Sequence, residues 1–225
     1  MGEALGQVLP LGVGVALSPV PIIGVVLMLG TSRARVNGPV FLIGWLVGIV
    51  LVGTIVLAAS GGAGASENHS PARWASVLEI VLGVLLLLVA VKQWRGRPRD
   101  GDEPEMPKWM RTIDSFTVGR AAVLAVLLSA VNPKNLLLVV AAATSIAQTG
   151  ASSGDQAAAF AVFAVIASLG VGAPVVIYFA LGERSARLLD GLKAWMSSNN
   201  AAIMATICLI IAAKLVGDGI TGLSG

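Results

Sequence analysis

Cysteine and histidine are almost absent from this chain of 225 residues, which contains one of each, Cys208 and His69. A zinc site, a histidine-based catalytic triad and a relay between two thiols all need more of these side chains than the sequence holds. The sequence also lacks a phosphate-binding P-loop. An enzyme is therefore poorly supported, and we expect no metal site, no cofactor and no catalytic residues.

Charged residues are also scarce. They make up 12% of the chain, against about 25% in soluble proteins. Hydrophobic residues make up 56%, and the mean hydropathy is +0.87. Because a membrane-spanning helix needs about 20 apolar residues and must satisfy its own backbone hydrogen bonds, the sequence predicts an all-α integral membrane protein. Six transmembrane helices are expected, at roughly 4–30, 39–60, 74–95, 120–147, 156–181 and 199–221.

The few basic residues are distributed unevenly between the predicted loops. Of the 15 lysines and arginines, 12 lie in the first, third and fifth loops, and the termini have none. Cytoplasmic loops carry the excess of lysine and arginine in membrane proteins. This pattern predicts that both termini face outside, and it explains the pI of about 9.4 without any binding of nucleic acid.

A charged, proline-rich segment, residues 96–107, divides the chain into two halves of three predicted helices each. Three is an odd number, so the halves have opposite orientations, as in the inverted repeats of transporters. We therefore expect a first three-helix repeat at 1–95, a cytoplasmic linker at 96–119 and a second repeat at 120–225. Within the linker, the spacing of Trp109, Ile113 and Phe116 indicates either a short interfacial helix or the frayed start of the fourth helix.

Proline interrupts the first helix of each half near its middle. Helix 1 contains Ser18, Pro19 and Pro21, and helix 4 contains Asn132 and Pro133. Proline fits the first position of a helix after a capping serine or asparagine. The sequence predicts that each span is two half-helices, with the break near the membrane midplane.

Lys134 and Asn135 directly follow the second break. A lysine at mid-span costs about 2.5–3.5 kcal/mol even on the insertion scale, so it favours a functional cavity over a simple kink. Helix N-termini carry positive partial charge and bind anions. We therefore predict that Ser18, Pro19, Pro21, Asn132, Pro133, Lys134 and Asn135 form a binding site for the anionic group of a substrate. The competing interpretation is that Lys134 only pairs with an acid or a carbonyl to hold the fold.

Three further charges lie within predicted spans, at similar depth. Glu79 lies in helix 3, and Lys214 and Asp218 are four residues apart on one face of helix 6. They indicate either an ion pair that locks the two helices together or an acid that couples proton movement to transport. We favour the structural interpretation.

Small residues mark two other helices. Gly44 and Gly48 form a G-x-x-x-G pattern in helix 2, and helix 5 is interrupted by Ser168, Gly170, Gly172 and Pro174. Such residues permit close contact between membrane helices and bending.

The segment ALSPVPIIGVVLMLGTSRARVNGPVFLIGWLVGI at 16–49, together with AVNPKNLLL at 130–138, resembles the GAP-like or Sap (sulfolipid-addressing protein) family of actinobacteria, part of the lysine-exporter (LysE) superfamily. The resemblance covers essentially the whole chain. It implies movement of sulfolipids or related glycolipids across the plasma membrane to the cell envelope, with large lipid transporters of the RND type as partners. The wider superfamily includes thiol-electron carriers, but a single cysteine argues against that role.

Two classes of function follow. The first is a transporter or flippase for an anionic lipid or glycolipid. Within this class, the alternative is an exporter of a small solute such as an amino acid or ion. The second is an accessory subunit that assists a larger lipid transporter and moves nothing itself. A lateral opening between helices would favour a lipid substrate, and a closed aqueous vestibule would favour a small solute.

Overall fold

The computed structural model describes residues 2–62, 73–97 and 108–224, and its regular structure there is entirely helical. The predicted second loop and most of the charged linker lie outside these residues. The α-helices are α1 (Gly2–Ala16), α2 (Pro19–Leu29), α3 (Ala34–Gly62), α4 (Arg73–Arg95), α5 (Val118–Ala130), α6 (Pro133–Gln148), α7 (Ser153–Leu181) and α8 (Ser185–Ser224). Two 3₁₀ helices, Lys108–Ser115 and Gly182–Arg184, precede α5 and α8.

In the described part of the chain, three helical segments are long and apolar enough to cross a membrane, and five if each bent helix pair counts as one span. The three are Ala34–Ser60, Arg73–Arg95 and Ser153–Ser224. The chain is therefore a multi-pass membrane protein. The last segment has 72 residues, whereas about 20 suffice to cross. The six-span count stays a prediction, because it needs α7 and α8 to cross separately.

Both predicted helix breaks are present. α1 and α2 meet at 51°, and α5 and α6 meet at 62°. Pro19 and Pro133 are the first residues of α2 and α6, and neither has a backbone N–H to continue the preceding helix. The cap-then-proline pairs therefore end one helix and start the next.

The start of the last helix differs most from the sequence-based expectation. α8 begins at Ser185, well before the predicted start of the last span at residue 199. Residues 185–198 are rich in Ala, Leu, Lys and Arg, which favour helix, and an exposed Lys193–Asp190 pair adds a short-range contact. The turn before α8 is made at Gly182, whose φ of +54° suits glycine.

The segment before α5 is a separate 3₁₀ helix rather than the frayed start of α5. Its residues Met110 and Ile113, and Phe116 just after it, are buried against the protein core beside α2. The Asn37 side chain in α3 donates a hydrogen bond to the Phe116 carbonyl (3.1 Å). These contacts hold the segment against the bundle.

The largest helix–helix contacts join the two halves of the chain: α4 packs on α8, α3 on α5, and α1 on α7. The predicted G-x-x-x-G contact is confirmed. A Cβ added at Gly48 would lie 1.9 Å from Ser129 Oγ, and one at Gly44 would lie 2.8 Å from the Ala122 carbonyl oxygen. The two glycines therefore let α3 approach the backbone of α5.

The outer surface of the bundle is strongly apolar. Ile43, Val165, Val176 and Ile210 are each at least 60% exposed. Large apolar side chains on α3, α7 and α8 therefore face outward, where lipid tails accept them without cost.

Candidate functional site

The two helix breaks contact each other directly. The Ser18 hydroxyl, which precedes α2, lies 2.8 Å from Asn135 Oδ1 in the first turn of α6. The same hydroxyl lies 2.6 Å from the Val15 carbonyl oxygen of α1. One hydroxyl proton therefore serves two acceptors, and Val15 needs this donor because Pro19, four residues later, has no N–H.

Lys134 is joined to the other half of the chain by its side chain. Its Nζ donates a hydrogen bond to the Gly14 carbonyl oxygen (2.7 Å), and the residue is 1% exposed. Gly14 lies in the last turn of α1, whose carbonyl groups lose their helical partners at the break. The negative end of a helix dipole also attracts a cation. The structure thus places the ammonium at the C-terminal end of α1.

Asn135 donates to a carbonyl group at the end of α5, as Lys134 does at the end of α1. Its Nδ2 donates to the Leu128 carbonyl oxygen (3.0 Å), because the Asn132 N–H donates to Leu127 instead (3.2 Å). Asn132 Oδ1 in turn accepts from the Lys134 N–H (3.2 Å). The adjacent residues Lys134 and Asn135 therefore satisfy carbonyl groups at the ends of two different half-helices. This explains why an apolar segment has its most polar residues at its centre.

Few backbone N–H groups are left free at the two restarted helices. In the first turn of α2, Pro19 and Pro21 have none, and the Ile22 N–H donates to the Ser18 carbonyl (3.3 Å), which leaves Val20. In α6, Pro133 has none and the Lys134 N–H is capped, which leaves Asn135. The backbone donors predicted for an anion are thus reduced to one in the first three residues of each half-helix.

The predicted site residues differ in their access to the membrane. Ser18, Pro19, Pro21, Lys134 and Asn135 are buried, whereas Pro133 is exposed and Asn132 is half-buried. Three of the buried residues are polar, and we call them the break cluster: Ser18, Lys134 and Asn135.

Pro133 lines a groove of about 390 Å³ on the outer surface of the bundle, which we call the lateral groove. One wall is the end of α5 and the start of α6, and the other is α4, with Leu85, Leu88 and Val89. Lys92 is the one charged residue among those that line it. The sequence carries no signal for this position of Lys92, because only the packing of α4 beside the second break places it there.

A second polar cluster joins α4, α6 and α8. The Ser145 hydroxyl donates to Glu79 Oε1 (3.4 Å), and Glu79 interacts electrostatically with both Asp218 and Lys214. Lys214 also pairs directly with Asp218. The three charges predicted to lie at one depth are therefore close together. Ser145 is ten residues after Asn135 in α6, so this cluster is about 15 Å from the break cluster along that helix.

Two buried hydroxyl groups near this second cluster have no hydrogen-bond partner in the described residues, those of Ser76 in α4 and Thr144 in α6. Neither residue stands out in the sequence, because serine and threonine are common in membrane helices and give no signal of their own. Among the described residues, no group of three or more His, Cys, Asp or Glu side chains could hold a metal ion.

Comparison with known proteins places the chain in one family. No curated protein and no solved structure matches it. The family model described as Sap, sulfolipid-1-addressing protein, matches residues 8–221, which is nearly the whole chain. The sequence resemblance and the family model agree, and this membrane protein belongs to the sulfolipid-1-addressing protein family.

Proposed function

We propose that this protein moves an anionic lipid or glycolipid across the plasma membrane towards the cell envelope. The family name describes the addressing of a sulfolipid and supports a role in lipid transport or localisation. The observation that carries the proposal is the lateral groove, which opens to the outer surface of the bundle directly beside Pro133.

The groove suits the acyl part of a lipid. Leu88 and Val131, on opposite walls, are 60% and 62% exposed, so the groove faces lipid tails rather than a closed aqueous space. This favours a lipid over a small solute. Lys92 lies near the C-terminal end of α4, where its long side chain can reach an anionic headgroup at the membrane interface.

The break cluster would act on the headgroup. While the two breaks are in contact, the Lys134 ammonium is held by the Gly14 carbonyl. Separation of the breaks would free the ammonium for an anionic oxygen of the substrate. Asn132 and Asn135 would then orient the headgroup by neutral hydrogen bonds. Inverted-repeat transporters usually work by rocking of one repeat against the other around a fixed central site, and such a motion would separate the two breaks.

Helix pairing supports an inverted repeat. If α1–α4 correspond to α5–α8, the contact of α1 with α7 matches that of α5 with α3, and the contact of α2 with α8 matches that of α6 with α4. The pair α4–α8 maps onto itself. On this proposal, the halves superpose after rotation by about 180° around an axis in the membrane plane.

Topology gives the first prediction. Both termini are expected outside, as the distribution of basic residues implies. In a background with Cys208 replaced by alanine, an external maleimide should label a cysteine introduced at Ser66 and fail to label one at Asp102. Detergent-treated cells provide the control, since both positions should then react. The reverse pattern in intact cells would invert the membrane orientation.

Obstruction of the lateral groove gives the second prediction. Leu88→Trp adds bulk inside the groove, so we expect severalfold slower transfer of a fluorescent anionic lipid in proteoliposomes. Val84→Trp is the matched control, since Val84 is an exposed residue of the same helix and does not line the groove. Equal rates for the two variants would contradict passage along this groove.

The second polar cluster is assigned a structural role in this proposal. Lys214 neutralises one of the two carboxylates, and the Ser145 hydroxyl supports Glu79, which ties α4, α6 and α8 together. Proton coupling through Glu79 or Asp218 is the alternative role.

An accessory role is the alternative function, and one observation favours it. Ser18, Lys134 and Asn135 are buried and hydrogen-bonded to the chain itself, as expected for a rigid scaffold. The protein would then assist an RND-type lipid transporter and move no lipid itself, alone or as a homo-oligomer. Purified protein reconstituted alone in liposomes tests this, because an accessory subunit would transfer no lipid without its partner.

A further inference from the structure

We propose that a cavity at one end of the bundle binds the carbohydrate headgroup of a glycolipid, at a site separate from the break cluster and the lateral groove. The cavity has a volume of about 520 Å³ and lies where the ends of α2 and α7 meet the starts of α3 and α8. We call it the end cavity. The inference rests on the proposed function, because it concerns the glycolipid form of the proposed substrate.

The polar lining of the end cavity contains groups of both charges. Arg35 comes from α3, Glu183 from the turn before α8, and Asp190 from α8. All three side chains are exposed. Asp190 pairs with Lys193 (2.9 Å), while Arg35 and Glu183 have no ion-pair partner among the described residues. The cavity therefore offers hydrogen-bond donors on one side and acceptors on the other.

This combination selects against simple ions. A plain anion would bind Arg35 but would face two carboxylates, and a plain cation would face the guanidinium. A hydroxyl group both donates and accepts hydrogen bonds, so a molecule with many hydroxyl groups satisfies all three side chains at once. The volume lies within the range of about 300–1,000 Å³ that is typical of small-molecule sites.

The remaining lining gives the apolar contact that a sugar ring needs. Tyr178 contributes an aromatic ring, held edge-on by Phe179 with ring centroids 5.3 Å apart. Leu29 and Leu189 are buried and form apolar wall of the cavity. A sugar ring has apolar C–H faces as well as hydroxyl groups, so it matches such mixed walls.

The position of the cavity indicates that the sugar is attached to a lipid. Phe179 lines the cavity and is 53% exposed, and its neighbours Val176 and Leu181 on α7 are 64% and 48% exposed. The cavity thus opens beside a surface that faces lipid tails. An acyl chain can lie along α7 while its headgroup occupies the end cavity.

The geometry of Glu183 depends on the turn before α8. Gly182 has a φ of +54°, and its carbonyl accepts a hydrogen bond from the buried Ser185 hydroxyl (2.6 Å). This contact fixes the turn, which presents Glu183 to the cavity opposite α3. The backbone of Glu183 is therefore held at the edge of the cavity.

The test uses the full-length protein in detergent and native mass spectrometry with three probes: digalactosyldiacylglycerol, diacylglycerol with the same acyl chains, and the free disaccharide. Wild-type protein should bind the glycolipid in preference to both other probes. Glu183→Gln and Arg35→Gln should each weaken glycolipid binding by about tenfold, as expected for loss of a hydrogen bond to a charged group. Binding of diacylglycerol should not change.

Arg33→Gln is the matched control, since Arg33 is exposed in the same turn and does not line the cavity. The inference is overturned if wild-type protein binds the glycolipid no better than diacylglycerol, or if the Glu183 and Arg35 variants bind it like wild type. Equal binding of the free disaccharide would overturn the assignment to a lipid-linked sugar. Selective binding without transfer in proteoliposomes would refute the proposed transport and leave this site intact.

Discussion

Lys134→Met is expected to abolish lipid transfer in proteoliposomes while the protein still folds. Methionine keeps much of the length of lysine and removes the charge. In the proposed mechanism the ammonium exchanges the Gly14 carbonyl for an anionic oxygen of the substrate, and methionine has no donor for either partner. Transfer should therefore fall to the rate of protein-free liposomes.

Two opposing effects on stability make folding of this variant plausible. The Gly14 carbonyl loses its donor, which costs about 1–3 kcal/mol if the group stays buried and unpaired. Removal of a buried charge that forms no ion pair with a described carboxylate relieves a desolvation cost of similar or larger size. We therefore expect little net change in thermal stability.

Lys134→Arg provides a second comparison, and the structure predicts low transfer activity for this variant. At a site that is 1% exposed, the wider guanidinium must displace its neighbours, at a typical cost of about 1–3 kcal/mol. Retained charge should thus preserve only part of the activity. Arg187→Met serves as a control for the loss of an exposed positive charge and should transfer lipid like wild type.

Stability and transfer measured together decide the role of Lys134. A stable, inactive Lys134→Met variant supports the proposed mechanism. A variant that is unstable would show that the ammonium mainly secures the end of α1. A variant that is stable and fully active would remove Lys134 from the mechanism, together with the reason to expect an anionic substrate.

Gly170→Ala is expected to destabilise the fold strongly. A Cβ at this position of α7 would lie 1.8 Å from the Ala16 carbonyl oxygen and 2.8 Å from its carbon, and both are backbone atoms that no rotamer change can move. Ala16 is the last residue of α1, at the first break. Separation of α7 from α1 would disturb the packing that holds Gly14 near Lys134. We expect a loss of at least about 3 kcal/mol, at the upper end of overpacking effects.

Gly172→Ala is the matched control for this prediction. It lies two residues further along α7, where an added Cβ would be 3.7 Å from the nearest atom, in Leu42, an ordinary contact. Alanine is also the better helix former by about 1 kcal/mol. This variant should be as stable as wild type or more so.

Cys208 provides the measurement for both glycine variants. It is the single cysteine of the chain and is fully buried, so a thiol-reactive fluorophore should report unfolding as the protein is heated in detergent. The Gly170 variant should react at a much lower temperature than the Gly172 variant. Similar transitions for the two would contradict the close approach of α7 to the end of α1.

The sequence by itself determined the class of this protein and the positions of its helix breaks. The membrane assignment follows from apolar runs of sufficient length. The breaks follow from Pro19 and Pro133, because proline has no N–H to donate to the preceding helix, whatever its tertiary surroundings. Gly44 and Gly48 likewise predicted a close helix contact from local spacing alone. These features depend on chemistry within one helical segment.

Only the tertiary structure decided what the polar residues contact. The sequence placed Lys134 at mid-span and left both an anion and a carbonyl as partners, and packing of α1 beside α6 brings the Gly14 carbonyl within 2.7 Å of its Nζ. Ser145 beside Glu79 and Lys92 in the lateral groove have no sequence signal, since each depends on how two distant helices pack. The ends of a membrane helix depend on its own local sequence, whereas the partners of Ser18 and Lys134 lie more than a hundred residues away in the chain.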